Sequence, residues 1–172
     1  ILGQVEIEYS QASSIDISNA LMVEDGLSIH DNYDTSHIDF ASLETIGESV
    51  QLSSNRDLES IDLTALQTVG GGFYLSSNNQ LEVLGAPALL EIEGTFQMNS
   101  NSGLEEVDFP LLWNIEGQLQ VESNHQLTMV SMPSLTSVNS QIYINSNDNL
   151  ESVIFTGLVE VGSNLNFQNA NN

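Results

Sequence analysis

The stretch Val50-Gln-Leu-Ser-Ser-Asn55-Arg-Asp-Leu58 decides the fold, because it returns at a fixed interval. It comes back as Phe73-Tyr-Leu-Ser-Ser-Asn78-Asn-Gln-Leu81 and as Phe96-Gln-Met-Asn-Ser-Asn101-Ser-Gly-Leu104. Two further copies are Leu119-Gln-Val-Glu-Ser-Asn124-His-Gln-Leu127 and Ile142-Tyr-Ile-Asn-Ser-Asn147-Asp-Asn-Leu150. Each Asn follows the last by 23 residues, as the numbering shows. A constant period in the twenties is the signature of a solenoid, in which each repeat buries its apolar face only against its neighbours.

Working outward from that stretch, the repeat covers residues 24–46, 47–69, 70–92, 93–115, 116–138 and 139–161. Residues 1–23 form an atypical first coil with Tyr9-Ser10 where the others carry Asn, and 162–172 begin an eighth. Within a coil, alternation at Phe96-x-Met98 and Val107-x-Phe109 has the period of half-buried strands. No segment carries a helical stripe longer than about one turn. The expected fold is therefore all-β: a right-handed parallel β-solenoid of stacked 23-residue coils without long helices, forming a single domain over 1–172. At about 4.8 Å per coil, seven coils make a rod of roughly 34 Å. Gly70, Gly71, Gly94, Gly117 and Gly162 mark the corner before each main strand, where a small or positive-φ residue is useful. Pro87, Pro110 and Pro133 mark another corner.

The Asn column (Asn32, Asn55, Asn78, Asn101, Asn124, Asn147) reads as structural. An inward amide can both donate to and accept from the backbone of adjacent coils, forming a ladder at turns that no sheet reaches. Ser54, Ser77, Ser100, Ser123 and Ser146 are expected to join it.

Composition narrows the partners. The 172 residues include 24 Asp and Glu against one Lys or Arg, which gives a net charge of −23. Charged residues are only 15% of the chain, so the acidity comes mostly from missing bases. Nucleic acid is excluded as a partner because phosphate binding needs basic side chains. No apolar run approaches the ~20 residues of a membrane-crossing helix, so membrane insertion is not expected. With no cysteine there is neither a disulfide framework nor a thiolate metal site. The N-terminal Ile-Leu-Gly-Gln lacks the basic region of a signal peptide, so the chain reads as a mature secreted protein or as a segment of a larger one. No Asn-x-Ser/Thr acceptor is present.

The run Pro110-Leu-Leu-Trp-Asn-Ile-Glu-Gly117-Gln-Leu-Gln-Val-Glu-Ser-Asn124-His-Gln-Leu127 resembles the leucine-rich-repeat-like coils of the receptor L-domain family. That family includes the ligand-binding L domains of insulin- and EGF-type receptors and related fungal cell-wall surface proteins. The resemblance extends over nearly all of the chain. It implies a secreted or cell-surface setting and a fold that hosts binding and structural roles alike.

In a solenoid, surface function is read down columns. The outward positions of the main strand give a central column of Ser28, Gln51, Tyr74, Gln97, Gln120, Tyr143 and Asn166. Beside it runs His30, Ser53, Ser76, Asn99, Glu122, Asn145 and Gln168. Amides with an aromatic ring suit a glycan or peptide: hydroxyls bond to Gln and Asn while a ring stacks on Tyr. Candidate ligand-binding residues are Tyr74, Gln97, Gln120, Glu122, Tyr143 and Asn145. The competing reading is a solvated sheet whose amides bond down their own columns. A candidate contact patch is Leu90 with Trp113, which follow the buried Leu of their coils and should point outward; the alternative is that a loop covers them.

Acidic columns (Asp16, Asp39, Asp62, Asp108; Glu59, Glu82, Glu105, Glu151) read as a solvated face. Calcium bridging of adjacent coils is chemically open, but no repeat carries a calcium-binding motif, and no cofactor is expected. His30, His37 and His125 fall in different columns and give no metal site. No catalytic constellation has support in the spacing, so a non-enzyme is expected.

Three functions follow as expectations. The first is an extracellular, non-enzymatic binding or adhesion module for glycan or protein. The second is a structural solenoid that associates with copies of itself end to end, or stands in a stalk or filament. The last and least is an ice-binding face, which the Thr45, Thr68 column would have to supply although Glu91, Asn114 and Glu160 interrupt it.

Overall fold

The computed structural model describes residues 1–168, and every strand in it is parallel to its neighbours. No helix occurs among the described residues. Each coil contributes three short strands, and equivalent strands of successive coils pair in register 23 residues apart, as in Phe73↔Phe96↔Leu119↔Ile142. The main sheet has eight strands, from Val5–Glu8 through Phe73–Ser76 to Leu165–Gln168. A second sheet of seven two-residue strands runs from Met22–Val23 to Glu160–Val161. The third side of the solenoid is split. Ser14–Asp16, His37–Asp39 and Ser60–Asp62 form one sheet, and Val83–Gly85, Glu106–Asp108, Met129–Ser131 and Ser152–Ile154 form another.

The alternating pattern of the main strands explains the core. In Phe73–Ser76 the first and third residues are buried and the second and fourth half-buried, as the pleat requires. Stacking repeats this at each level, so one continuous apolar column runs along the solenoid axis. Its aromatic segment is Phe73, Phe96 and Phe109, with rings edge to face at 5.3 and 5.0 Å, the geometry that ring quadrupoles favour.

The Asn column is a ladder. Each of the six side chains is fully buried. The backbone N–H of Asn55 donates to Asn78 Oδ1, that of Asn78 to Asn101 Oδ1, and so on to Asn147, at 2.9–3.1 Å. Each Nδ2 donates in turn to a main-strand carbonyl of the preceding coil: Asn78 to Leu52 O, Asn101 to Leu75 O, Asn124 to Met98 O. The amide oxygen thus satisfies a backbone N–H at a corner where the sheet ladder has ended, while Nδ2 adds a bond to a carbonyl within the main strand. Coil one, which has no Asn at this position, still takes part: Ser10 N–H donates to Asn32 Oδ1, and Asn32 Nδ2 donates to Ile7 O.

At the corners one expectation needs correction and one resolves to a single cause. The serines act through their backbone. Ser54, Ser77, Ser100, Ser123 and Ser146 all have φ of 55–59°, as do Asp31 at 57° and Tyr9 at 50°. This left-handed residue turns the chain inward so that the following Asn enters the core. No glycine has a positive φ, so the corner glycines are kept for close approach alone. A Cβ on Gly70 would sit 2.2 Å from Gly47 O. Because the left-handed conformation costs an ordinary L-residue roughly 1–2 kcal/mol, Ser100→Gly is expected to raise stability slightly. Ser100→Val should lower it by about 2 kcal/mol, since β-branching worsens that strain. Urea melts of the two variants check the order.

Candidate functional site

The main sheet brings the expected candidates together. Register places Gln51, Tyr74, Gln97, Gln120 and Tyr143 side by side on its outer face. Glu122 and Asn145 pair in the adjacent column. The face nevertheless divides into two halves of different character.

In the half formed by residues 118–145 the side chains bond to one another. Gln118 Nε2 donates to Gln120 Oε1 at 2.8 Å, and Gln120 Nε2 donates to Glu122 Oε2 at 2.9 Å. Gln141 Nε2 donates to Gln118 Oε1 at 3.0 Å, and Asn145 Nδ2 donates to the Tyr143 hydroxyl at 2.9 Å. Most of these bonds run along a strand between residues two apart, not down a column as expected from sequence. Gln120, Glu122, Tyr143 and Asn145 therefore have much of their hydrogen-bonding capacity committed.

The other half is open. Gln51, Tyr74, Ser76 and Gln97 line a surface recess of about 350 Å³. The Tyr74 ring lies back over Gly72: a Cβ there would stand 2.4 Å from the ring carbon bearing the hydroxyl. Glycine at 72 makes the room, whereas Tyr143 has Gln141 at the equivalent position and reaches Asn145 instead. Tyr74 is thus laid along the sheet beside polar side chains. Next to Ser76 in register is Asn99. Its Oδ1 is shielded from solvent and has no hydrogen-bond partner among the described residues, a cost of about 1–3 kcal/mol.

Leu90 and Trp113 both point outward, at 38% and 46% exposure. Backbone pairing through Trp113 N–H to Leu90 O at 2.9 Å sets them one coil apart, and no loop covers them.

Part of the acidic face has a local role that the column reading missed. The Oδ1 atoms of Asp16, Asp39 and Asp62 accept the backbone N–H of Ser18, Ala41 and Thr64 at 2.9–3.0 Å. The Ser18 hydroxyl and amide hold the Asp16 carboxyl below the ordinary carboxylate value. These are Asx turns, and Asp-x-Ser/Ala/Thr was their signal in the sequence. In the next three coils Pro87, Pro110 and Pro133 occupy the third position. Proline has no N–H to cap, which leaves Asp108 without that bond. The side sheet splits where the corner changes type, between Ser60–Asp62 and Val83–Gly85.

A further network was not foreseen. Asn114, nearly buried, donates through Nδ2 to Glu91 Oε1 at 2.8 Å and to Glu116 Oε1 at 2.9 Å. It accepts from Ser137 Oγ at 2.7 Å. One amide thereby holds two carboxylates, one from the coil before its own and one from the start of the coil after.

The histidines stand apart. His30 lies 3.1 Å from Asp31, His37 bonds Ser60 at 2.7 Å, and His125 lies 2.9 Å from Asp148. Among the described residues no group of three or more His, Asp or Glu is placed to hold a metal ion, and no helix is long and apolar enough to cross a membrane. Comparison with protein-family models, with curated proteins and with solved structures finds no match to this chain.

Proposed function

We propose that the chain is a non-enzymatic binding module of the cell surface or secreted space, and that the outer face of its main sheet takes a neutral glycan at Tyr74. One observation carries this reading: the recess of Gln51, Tyr74, Ser76 and Gln97 has uncommitted amide and hydroxyl groups around a ring laid along the sheet. A sugar ring stacks on such an aromatic face while its hydroxyls bond to amides. The net charge of −23 argues for a neutral ligand over an anionic one. A rigid parallel sheet supports the reading too, because side chains on it are held in place before the ligand arrives.

Screening the folded protein on an array of neutral and anionic glycans tests it. Neutral glycans are expected to bind. Tyr74→Ala and Gly72→Val, which displaces the ring, should each weaken binding about tenfold or more, since stacking and amide bonds to one sugar unit are worth more than ~1.4 kcal/mol together. Tyr143→Ala should have little effect because that hydroxyl is already engaged by Asn145. A folded protein that binds no glycan, or whose binding survives Tyr74→Ala, would end the proposal.

A further inference from the structure

Between residues 34 and 158, the exposed large apolar side chains are Val83, Leu90, Leu111 and Trp113, each 38–54% exposed. All four belong to the two coils 70–92 and 93–115, and all lie away from the main sheet, on the side-sheet flank and the corner that follows it. Leu90 and Trp113 are stacked by their backbone bond. Leu111 follows Pro110, the proline one coil on from Pro87.

A recess of about 500 Å³ is lined by Val83 of this group and by Pro87, three residues before Leu90. It opens at the split in the side sheet, between Ser60–Asp62 and Val83–Gly85. Ile61 adds to its apolar surface, and the carboxylates of Glu82, Glu106 and Asp108 stand around it. No basic residue lines it. Arg56, the one Lys or Arg of the chain, is solvent-exposed at 3.9 Å from Asp57.

We infer that this flank docks a protein segment carrying both apolar and basic side chains. Clustered exposed apolar side chains mark contact sites, and tryptophan is among the residues enriched at their energetic centres. The carboxylate frame sets the sign of the partner. A second copy of this chain would bring a like charge of −23 to the same place, and an anionic lipid surface would be repelled as strongly. A segment alternating leucine-like and lysine-like side chains meets both features: its apolar groups cover Leu90, Leu111 and Trp113, and its ammonium groups face Glu82, Glu106 and Asp108. This surface is separate from the Tyr74 face and does not depend on it.

Trp113 is the chain's single tryptophan, so its emission reports on this flank alone. Three short synthetic peptides serve as probes: alternating Leu/Lys, alternating Ser/Lys of the same charge, and alternating Leu/Glu. At physiological ionic strength the Leu/Lys peptide should shift Trp113 emission to the blue and saturate. The Ser/Lys peptide should bind at least about tenfold more weakly without a blue shift, and the Leu/Glu peptide should not bind. Leu90→Ser combined with Leu111→Ser should weaken Leu/Lys binding by about tenfold. Glu82→Gln with Glu106→Gln and Asp108→Asn should weaken it comparably and flatten its salt dependence. Tyr74→Ala should leave all of this unchanged, whatever its effect on glycan binding. Equal binding of Ser/Lys and Leu/Lys peptides would reduce the flank to a nonspecific acidic surface and overturn the inference. So would unchanged Leu/Lys binding in the Leu90/Leu111 variant with its circular dichroism intact. A dimer in light scattering that Leu90→Ser abolishes would assign the flank to self-association and overturn it as well.

Discussion

Asn101→Ala is expected to destabilise the protein by about 3 kcal/mol, because it strands a buried backbone N–H and removes a bond that ties two coils together. The Asn78 N–H loses its acceptor, Asn101 Oδ1 at 3.0 Å. The Leu75 carbonyl, which the parallel ladder also supplies, loses a second donor, Asn101 Nδ2 at 3.1 Å. The orphaned N–H costs roughly 1–3 kcal/mol, and water cannot replace the amide in a column whose members are fully buried. The truncation also leaves a small void beside the main strands. Asn101→Asp separates hydrogen bonding from packing, since it keeps the volume. At neutral pH it places a buried carboxylate against the Leu75 carbonyl and should be at least as damaging as Asn101→Ala. Burial raises the folded-state value of such a carboxyl above its ordinary ~3.9. The sign follows from that: protonation restores an O–H donor, so the deficit relative to the parent shrinks as pH falls toward ~4 and grows as pH rises. Urea unfolding of parent, Ala and Asp forms at two pH values checks it. A loss under 1 kcal/mol for Asn101→Ala, or an Asp deficit that does not respond to pH, would show that the ladder does not hold the coils together.

The ladder was legible in the sequence because each link repeats a residue type whose chemistry has one use in that place. An amide that recurs every coil, one corner after an alternating apolar strand, has the backbone as its only constant neighbour. The serine before it was legible as a column but not in its role, because conformation is not written in residue type. Serine is tolerated at positive φ without being demanded there, and Asp31 and Tyr9 fill the same position. The candidate site was half legible. Alternation told which residues of Phe73–Ser76 face outward, hence Tyr74, but not which way its ring would lie. That depends on Gly72 two residues back against Gln141 in the equivalent place. Nor could the column reading tell that Gln118, Gln120 and Glu122 bond along their strand, since rotamers within one strand are set by side-chain length and not by period. The split of the side sheet follows a change from Asx to proline corners that is visible in the sequence, yet its consequence, an acidic recess beside exposed apolar side chains, needs the fold in three dimensions.

Gly70→Ala should cost about 3 kcal/mol or more, because the added methyl has nowhere to go. Its Cβ would stand 2.2 Å from Gly47 O and 2.9 Å from Gly47 C. Those are backbone atoms of the preceding coil, held by the parallel pairing of Val50–Ser53 with Phe73–Ser76. Neither strand can shift without breaking register with the coil beyond it, so the strain cannot be relieved by a side-chain rotation, and overpacking of this kind exceeds the usual 1–3 kcal/mol. The corner repeats the problem at Gly47 and Gly162, whose Cβ atoms would meet the preceding coil's carbonyl at 1.9 and 2.1 Å. Gly85→Ala is the control. Its Cβ would come no closer than 3.3 Å to Asp108 O, a contact that a shift of a few tenths of an ångström relieves. That change should cost under 1 kcal/mol, and can even stabilise by reducing the freedom of the unfolded chain. Because coils communicate only with their neighbours, the damage at Gly70 should begin locally. Amide exchange in residues 47–76 is expected to accelerate before that of 119–145. Equal melting points for Gly70→Ala and Gly85→Ala would mean that the coils can separate at this corner without cost, and that close stacking is not what the corner glycines are for.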